Sequence, residues 1–169
     1  MKRVVLSLFV LLVLATSCIH TDAKPTVGAQ APDFELFNLD SQSVRLSDYL
    51  GHPVVINFWG TQCDYCLEEM PILEAVYRQE SSKTDGVIFL TINVQDSAAR
   101  AQAFMKDNEY TMPVLMDAGG RAARAYGVTG IPVTFFVDYN GIIRYIKLGS
   151  FTNQDELEAA LEKQEWARQ

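Results

Sequence analysis

The chain has 169 residues and a formal net charge of -7, because its 21 acidic side chains outnumber its 14 Lys and Arg. Hydrophobic residues make up 49% of it, which is enough for one domain with a sizeable core and excludes a disordered polypeptide. The low isoelectric point, near 4.8, argues against a protein that binds nucleic acid, since no basic stripe exists to neutralise phosphates.

The first residues have the pattern of an export signal. Lys2 and Arg3 precede an apolar run over residues 4–14, and small residues follow it. The run is shorter than the ~20 residues of a membrane-spanning helix, so we expect cleavage of a signal peptide over residues 1–17. An uncleaved anchor is the alternative.

The end of this signal also resembles a bacterial lipobox. Residues 14–18 read Leu-Ala-Thr-Ser-Cys, and in a lipobox the cysteine is lipidated and becomes the new N-terminus. We favour lipidation of Cys18 over a plain signal-peptidase site, because an unpaired exposed thiol is a liability in an oxidising compartment. Residues 18–26 are then a tether, and residues 27–169 form the folded domain.

The domain opens with a predicted β-hairpin. Apolar residues at 34–37 and 44–46 flank the polar stretch Asn38-Leu39-Asp40-Ser41, which favours a turn between two short strands. The next apolar run, Val54–Phe58, is β-branched and suits a buried central strand.

Two cysteines follow this strand at CxxC spacing. From Leu67 onward apolar residues recur at helical spacing, which places Cys63 close to a helix N-terminus. The positive end of the helix dipole and the free backbone N–H groups there favour a thiolate, the nucleophile of thiol–disulfide exchange. The pattern therefore predicts that Cys63 and Cys66 form a redox pair at the turn between a strand and a helix.

The rest of the chain alternates strands and helices. Residues 87–94 are predicted to form a strand parallel to the central strand Val54–Phe58, because a helix connects the two strands. Asp96 or Ser97 can cap the next helix. Further elements are expected in this order: a strand over 112–116, a helix over 121–126, strands over 133–137 and 142–146 around the Asn140-Gly141 turn, and a last helix capped by Asn153.

This element order, with CxxC at a strand-to-helix turn, specifies a thioredoxin-like fold. The stretch F-W-G-T-Q-C-D-Y-C-L-E-E-M-P, residues 58–71, resembles the active site of the TlpA/ResA-like branch of exported thioredoxins. So do V-G-A-Q-A-P-D-F at the start of the domain and A-R-A-Y-G-V-T-G-I-P-V-T-F-F-V-D near its end. The resemblance implies an α/β fold, with a central mixed sheet flanked by helices, an N-terminal β-hairpin and an inserted helix-strand unit over residues 96–116.

The resemblance also implies roles for individual residues. Cys63 is then the attacking nucleophile and Cys66 the resolving thiol of a redox-active disulfide. Pro132 is a cis-proline facing them, and it contacts the substrate together with Ile131 and Trp59. Trp59 is expected to be both a core residue and a wall of the active site.

The proton chemistry departs from that of a generic thioredoxin. Asn57 occupies the strand position where thioredoxins commonly carry a buried Asp, and an amide cannot accept a proton from the resolving thiol. Glu69 lies three residues after Cys66, about one helical turn away, and related proteins of the ResA type have a glutamate there. We therefore predict that Glu69 is the base, whereas Glu68, about 100° around the helix, is solvated.

Other functions for the cysteines are less consistent with the sequence. A structural zinc site needs four ligands, and the chain offers no second CxxC and only two histidines, His20 and His52, which argues against zinc. A thiol peroxidase would have threonine three residues before its cysteine, but Thr61 is two before Cys63. A copper chaperone of the Sco type would have CxxxC and a histidine downstream, and both histidines here come earlier.

The expected function is thus an exported thiol–disulfide oxidoreductase that needs no metal or organic cofactor. The family suggests reduction of envelope proteins, for instance apocytochromes with a CxxCH motif, with electrons from a membrane thiol reductase. The protein would lie in the bacterial cell envelope, anchored by lipid at Cys18 or soluble in the periplasm. A disulfide oxidase or isomerase and a non-catalytic thioredoxin-like binding module remain as alternatives.

Overall fold

The computed structural model describes residues 24–162. The signal peptide, Cys18 and most of the tether lie outside the described residues, as do residues 163–169. Pro25, placed in the tether by the sequence, is buried. Within the described residues no helix is both long and apolar enough to cross a bilayer.

The described chain forms a single mixed sheet with helices on its faces. Its elements in chain order are β1 (Glu35–Asn38), β2 (Ser43–Arg45), a 3-10 turn (Leu46–Tyr49), β3 (Val54–Trp59), α1 (Asp64–Ser81), β4 (Ile88–Val94), α2 (Ala98–Asp107), β5 (Val114–Asp117), α3 (Arg121–Ala125), β6 (Val133–Val137), β7 (Ile143–Leu148) and α4 (Gln154–Glu162).

The strand order is β2-β1-β5-β4-β3-β6-β7. β3, β4 and β5 run parallel, while β6 and β7 on one side and β1 and β2 on the other are antiparallel to their neighbours. The thioredoxin-like fold, its mixed sheet and its N-terminal hairpin are therefore confirmed. The inserted unit consists of α2 and β5, and β5 lies between β4 and the hairpin.

β3 is the centre of the molecule, and all six of its residues are buried. Because side chains alternate across a strand, Val54, Ile56 and Phe58 pack into one core. Val55 and Trp59 pack into the other, which also contains Met70 and Leu73 of α1. Asn57 has the same parity as Val55 and Trp59, so its polar side chain lies beneath the helix that carries the cysteines.

One predicted strand boundary shifts for a local reason, and the structure decides between two candidate helix caps. The strand expected from Met112 begins at Val114, because the backbone N–H of Met112 donates to the Glu74 carboxylate (3.1 Å) and Pro113 has no N–H to pair. Ser97 is the N-cap of α2, its hydroxyl accepting from the backbone N–H of Arg100 at 3.3 Å. Asp96, the other candidate cap, makes different contacts.

Candidate active site

Cys63 and Cys66 form a disulfide at the start of α1, with their Cα atoms 5.2 Å apart. Cys63 is the N-cap of the helix, and its Sγ accepts a hydrogen bond from the backbone N–H of Cys66 at 3.1 Å. Cys63 is half-buried, whereas Cys66 is 0% exposed. Cys63 is therefore the more accessible of the two cysteines.

The loop before β6 faces this disulfide. The Ile131–Pro132 peptide bond is cis, as the resemblance implied, and the Ile131 carbonyl oxygen lies 3.6 Å from Cys63 Sγ. The backbone N–H of Gly149, just after β7, donates to the Pro132 carbonyl at 3.0 Å. The same loop lines a groove of about 270 Å³, which is also lined by Leu148, a residue that is 67% exposed.

Trp59 does not have one of its two expected roles. Its side chain is 0% exposed, and its ring packs against Phe104 of α2 with centroids 5.4 Å apart. Direct contact of Trp59 with a substrate is therefore a wrong prediction for this oxidised state. The inserted helix covers the indole, so Trp59 belongs to the core beneath the disulfide.

Glu69 is buried on the sheet side of α1. It is 0% exposed, while the neighbouring Glu68 is exposed. Its Oε1 accepts from Asn57 Nδ2 at 2.9 Å, and its Oε2 accepts from the backbone N–H of Phe151 at 3.0 Å. Asn57 Nδ2 also donates to Thr134 Oγ1 at 3.0 Å, which ties β3, β6 and the loop before α4 to one carboxylate.

The surroundings of Glu69 give it an unusual acidity. Burial raises its pKa from 4.5 to about 7, although the hydrogen bonds from Asn57 and Phe151 and the charge of Lys147 act in the opposite direction. Lys147 itself is paired with Glu156 at 2.6 Å, so its influence on Glu69 is partly cancelled. A carboxyl group that titrates near neutrality can accept and return a proton at physiological pH.

The sequence did not point to the partners of this carboxylate. Thr134 and Phe151 are separated from their partners Asn57 and Glu69 by 77 and 82 residues. One signal was present, because Asn57 and Thr134 are isolated polar residues in two otherwise apolar strands. Their register makes them cross-strand neighbours, which is the arrangement that buried polar residues require.

Residues 24–162 contain no group of three or more His, Cys, Asp or Glu side chains arranged to hold a metal ion. The described part of the site brings together two cysteines and one buried carboxyl group.

The chain is similar to known proteins over most of its length. The model of the AhpC/TSA family matches residues 27–146. The thiol-disulfide oxidoreductase ResA of Geobacillus kaustophilus (strain HTA426) is 35% identical over 162 residues, which cover 91% of this chain and 92% of the relative.

Solved structures give the same picture. A Chlorobium tepidum protein assigned as thiol:disulfide interchange protein DsbE has a TM-score of 0.68 at 29% identity, and the match covers 83% of this chain and 95% of that one. The exposed lipoprotein thioredoxin of Streptococcus pneumoniae strain TIGR4 has a TM-score of 0.67 at 30% identity, with 78% and 99% covered. The enzyme exchanges disulfides with protein substrates, and the chain belongs to the AhpC/TSA family and, within it, to the thioredoxin-like thiol-disulfide oxidoreductases of the ResA type.

Proposed function

We propose that this enzyme reduces disulfides of proteins in the bacterial envelope, with Cys63 as the attacking thiol, Cys66 as the resolving thiol and Glu69 as the base. The observation that carries the proposal is the asymmetry of the site. Cys63 is partly exposed, whereas Cys66 and Glu69 are both 0% exposed. The outer thiol can meet a partner, and the inner thiol and the carboxyl group can complete the exchange out of solvent.

The exchange then has two steps. The Cys63 thiolate attacks one sulfur of the partner disulfide, a mixed disulfide forms, and the other partner sulfur leaves as a thiolate. Cys66 gives its proton to the Glu69 carboxylate and attacks Cys63 Sγ, which releases the second partner thiolate. The partner has gained two electrons, and the enzyme disulfide has formed.

The acidity of Glu69 suits this role. A general base is most effective when its pKa is near the working pH, and burial raises the pKa of Glu69 to about 7. Asn57 and Phe151 each donate to one of its oxygens, which fixes the carboxylate in one orientation. Asn57 thus acts as the hydrogen-bond donor of the base, at the strand position where thioredoxins commonly have the base itself.

The residues around Cys63 favour reduction of the partner over its oxidation. Asp64 is exposed in the first turn of α1, and its negative charge next to Cys63 disfavours the thiolate and hence the reduced form of the enzyme. A strong oxidant of this fold needs the opposite arrangement, a stabilised thiolate. Tyr65, 66% exposed, and Leu148 are apolar surfaces on which an extended partner segment can lie.

The proposed location rests on the N-terminal sequence, and the proposed partners rest on the family. The export signal over residues 1–17 and the tether over 18–26 would place the domain beyond the cytoplasmic membrane, held by lipid on Cys18. The name of the pneumococcal relative, an exposed lipoprotein thioredoxin, supports this anchor. Apocytochromes with a CxxCH motif are candidate substrates, and a membrane thiol reductase is the candidate electron donor.

The division of labour between the thiols is tested by trapping. Cys66→Ser should accumulate mixed disulfides with envelope proteins, because the second step is blocked, whereas Cys63→Ser should form none. Mass spectrometry of the trapped partners identifies the substrates. Equal trapping by both variants would contradict the assignment, and a wild-type protein that fails to reduce insulin would favour a binding module.

The role of Glu69 is tested in the second step. Glu69→Gln should slow the release of a preformed mixed disulfide at neutral pH, while Glu68→Gln, which alters an exposed neighbour, should not. If Glu69→Gln resolves at the wild-type rate with the wild-type pH profile, the carboxyl group has no part in proton transfer.

A further inference from the structure

Asp96 is a buried charge that the exchange described above does not use. It follows β4, is 6% exposed, and comes directly after Gln95, whose positive φ of 70° turns the chain sharply. A carboxylate is seldom buried unless its oxygens are well satisfied, so its contacts indicate what it does. They lead to the loop just before Cys63.

Both oxygens of Asp96 bind Thr61. Oδ2 accepts from the backbone N–H of Thr61 at 2.8 Å and from Asn93 Nδ2 at 2.9 Å. Oδ1 accepts from Thr61 Oγ1 at 2.8 Å, and Arg100 Nη1 lies 3.7 Å away. Burial raises the pKa of Asp96, but the hydrogen bonds from Thr61 and Asn93 and the charge of Arg100 outweigh it and leave the pKa below its usual value.

The loop that Asp96 holds is enclosed on two sides. A Cβ built on Gly60 would lie 3.2 Å from Ile131 Cδ1 and 3.4 Å from the carbonyl oxygen of Val94. The chain between β3 and α1 therefore passes between the cis-proline loop and the turn after β4. The backbone N–H of Cys63 donates to the Gly60 carbonyl at 3.2 Å, so the position of Cys63 depends on the position of this loop.

We infer that Asp96 is a positioning residue for Cys63: by binding the backbone and side chain of Thr61 it keeps Cys63 at the N-cap of α1, where Cys63 Sγ accepts the N–H of Cys66. The same hydrogen bond stabilises the thiolate when the enzyme is reduced, because a charged acceptor strengthens it. Asp96 lies in the turn between β4 and α2, so the segment that leads into the inserted unit sets the reactivity of the nucleophile. This inference takes Cys63 to be the attacking thiol, as proposed above.

Position and charge predict opposite results, which makes the inference testable. If Asp96 acted on Cys63 only through its negative charge, removing the charge would favour the thiolate and move the onset of Cys63 reactivity to lower pH. If Asp96 acts through Thr61, removing the carboxylate releases the loop, weakens the hydrogen bond to Cys63 Sγ and moves that onset to higher pH.

Two variants of Asp96 separate these effects. Asp96→Asn removes the charge and keeps the clamp, since the amide oxygen can accept from Thr61 N–H and the amide nitrogen can donate to Thr61 Oγ1. Asp96→Ala removes both. In each reduced full-length variant, alkylation of Cys63 by iodoacetamide is followed against pH by mass spectrometry of the peptide that contains it.

Glu74 provides a matched control. Like Asp96 it is 6% exposed and accepts from the backbone N–H and the hydroxyl of one threonine, Thr111, at 2.9 and 2.7 Å. It ties α1 to the segment before β5, away from the loop at Gly60. Glu74→Ala therefore has a comparable cost in stability, and the charged neighbours of Cys63 on α1, Asp64 and Glu68, are the same in every variant.

We expect Asp96→Ala to move the midpoint of the Cys63 alkylation profile up by about one pH unit. This shift corresponds to the loss of one charge-assisted hydrogen bond to the thiolate. Asp96→Asn should not move it upward, and Glu74→Ala should match the wild type. The rate at which Asp96→Ala attacks a protein disulfide should fall by about tenfold or more even where the thiol is fully ionised, because the nucleophile is misplaced.

The positioning role is overturned if both Asp96 variants shift the midpoint to lower pH, or if Asp96→Ala has the profile of Glu74→Ala. Should Asp96→Ala fail to fold, Thr61→Val decides the question. It loses the hydroxyl bond to Asp96 and keeps the backbone bond, so a smaller upward shift supports the clamp and an unchanged midpoint overturns it. Alkylation reports on Cys63 even if trapping assigns the attack to another thiol, so the two tests fail separately.

Discussion

Replacing Glu69 by glutamine should remove a component of stability that disappears as the pH rises. The pKa of Glu69 is raised from 4.5 to about 7 in the folded protein, chiefly by burial. Between these values the folded state keeps a proton that the unfolded chain has released. The contribution is therefore fully present below pH 4.5 and is lost as the pH rises through about 7.

The magnitude follows from the two pKa values. One unit corresponds to 1.36 kcal/mol, so a rise from 4.5 to about 7 makes folding about 3 kcal/mol less favourable at pH 8 than at pH 4.5. Glutamine cannot titrate, and it can be accommodated at this position. The oxygen of the new glutamine side chain can accept from Phe151 N–H. Its nitrogen can donate to Asn57 Oδ1 after the amide of Asn57 turns over, because this oxygen has no partner among residues 24–162.

Urea unfolding of the oxidised protein between pH 4.5 and 8 measures this component directly. The free energy of unfolding of wild type and of Glu68→Gln should fall over the range by about 3 kcal/mol more than that of Glu69→Gln, with equal denaturant slopes. Carboxyl groups with lowered pKa values are the same in all three proteins, so their effect on the free energy of unfolding cancels in the comparison. The same pH dependence in Glu69→Gln and wild type would refute a raised pKa at Glu69.

Three further outcomes are expected. Asp64→His should raise the reduction potential, measured against glutathione, by tens of millivolts at most, because an exposed charge near a helix terminus contributes about 0.3–1 kcal/mol. A wild-type potential near that of the strong oxidants would reverse the proposed direction. Cys18→Ala should release the protein from the membrane fraction or block its processing, and an unmodified N-terminus at Ile19 or beyond would exclude the lipid anchor. Tyr126→Phe should lower the free energy of unfolding by about 1 kcal/mol, since Tyr126 Oη donates to the Pro32 carbonyl at 2.8 Å in a fully buried position, and an unchanged urea midpoint would contradict this.

Local pattern was enough to predict the elements that carry the thiols. The apolar run of β3, the CxxC spacing and the helical repeat of α1 lie within residues 54–81 and depend little on the rest of the chain. The Asn140-Gly141 turn and the Asn153 cap are local as well, and Asn153 Oδ1 accepts from Glu156 N–H at 2.9 Å as predicted.

Contacts between distant segments were harder to predict. That Glu69 shares a helix face with Cys66 follows from spacing, but its burial depends on Phe151, and its acidity depends on that burial. Trp59 is predicted to be both a core residue and a wall of the active site, because nothing in its own neighbourhood says that Phe104 covers it. Asp96 was considered only as a helix cap, since its bond to Thr61 joins residues 35 apart.

The position of β5 in the sheet also limits the order in which the domain can be completed. The β1–β2 hairpin comes first in the chain but meets the sheet through β5, where Phe37 pairs with Met116 and Asn38 with Leu115. During synthesis or export from the N-terminus the hairpin has no sheet to join until the inserted unit has emerged, and non-local pairing of this kind slows folding. Cys63 and Cys66 emerge after the hairpin but before the inserted unit and before the Ile131 loop that faces them in the folded domain. The nascent protein therefore carries a solvent-accessible dithiol before its active site exists, and these thiols can pair prematurely with a cysteine of another chain.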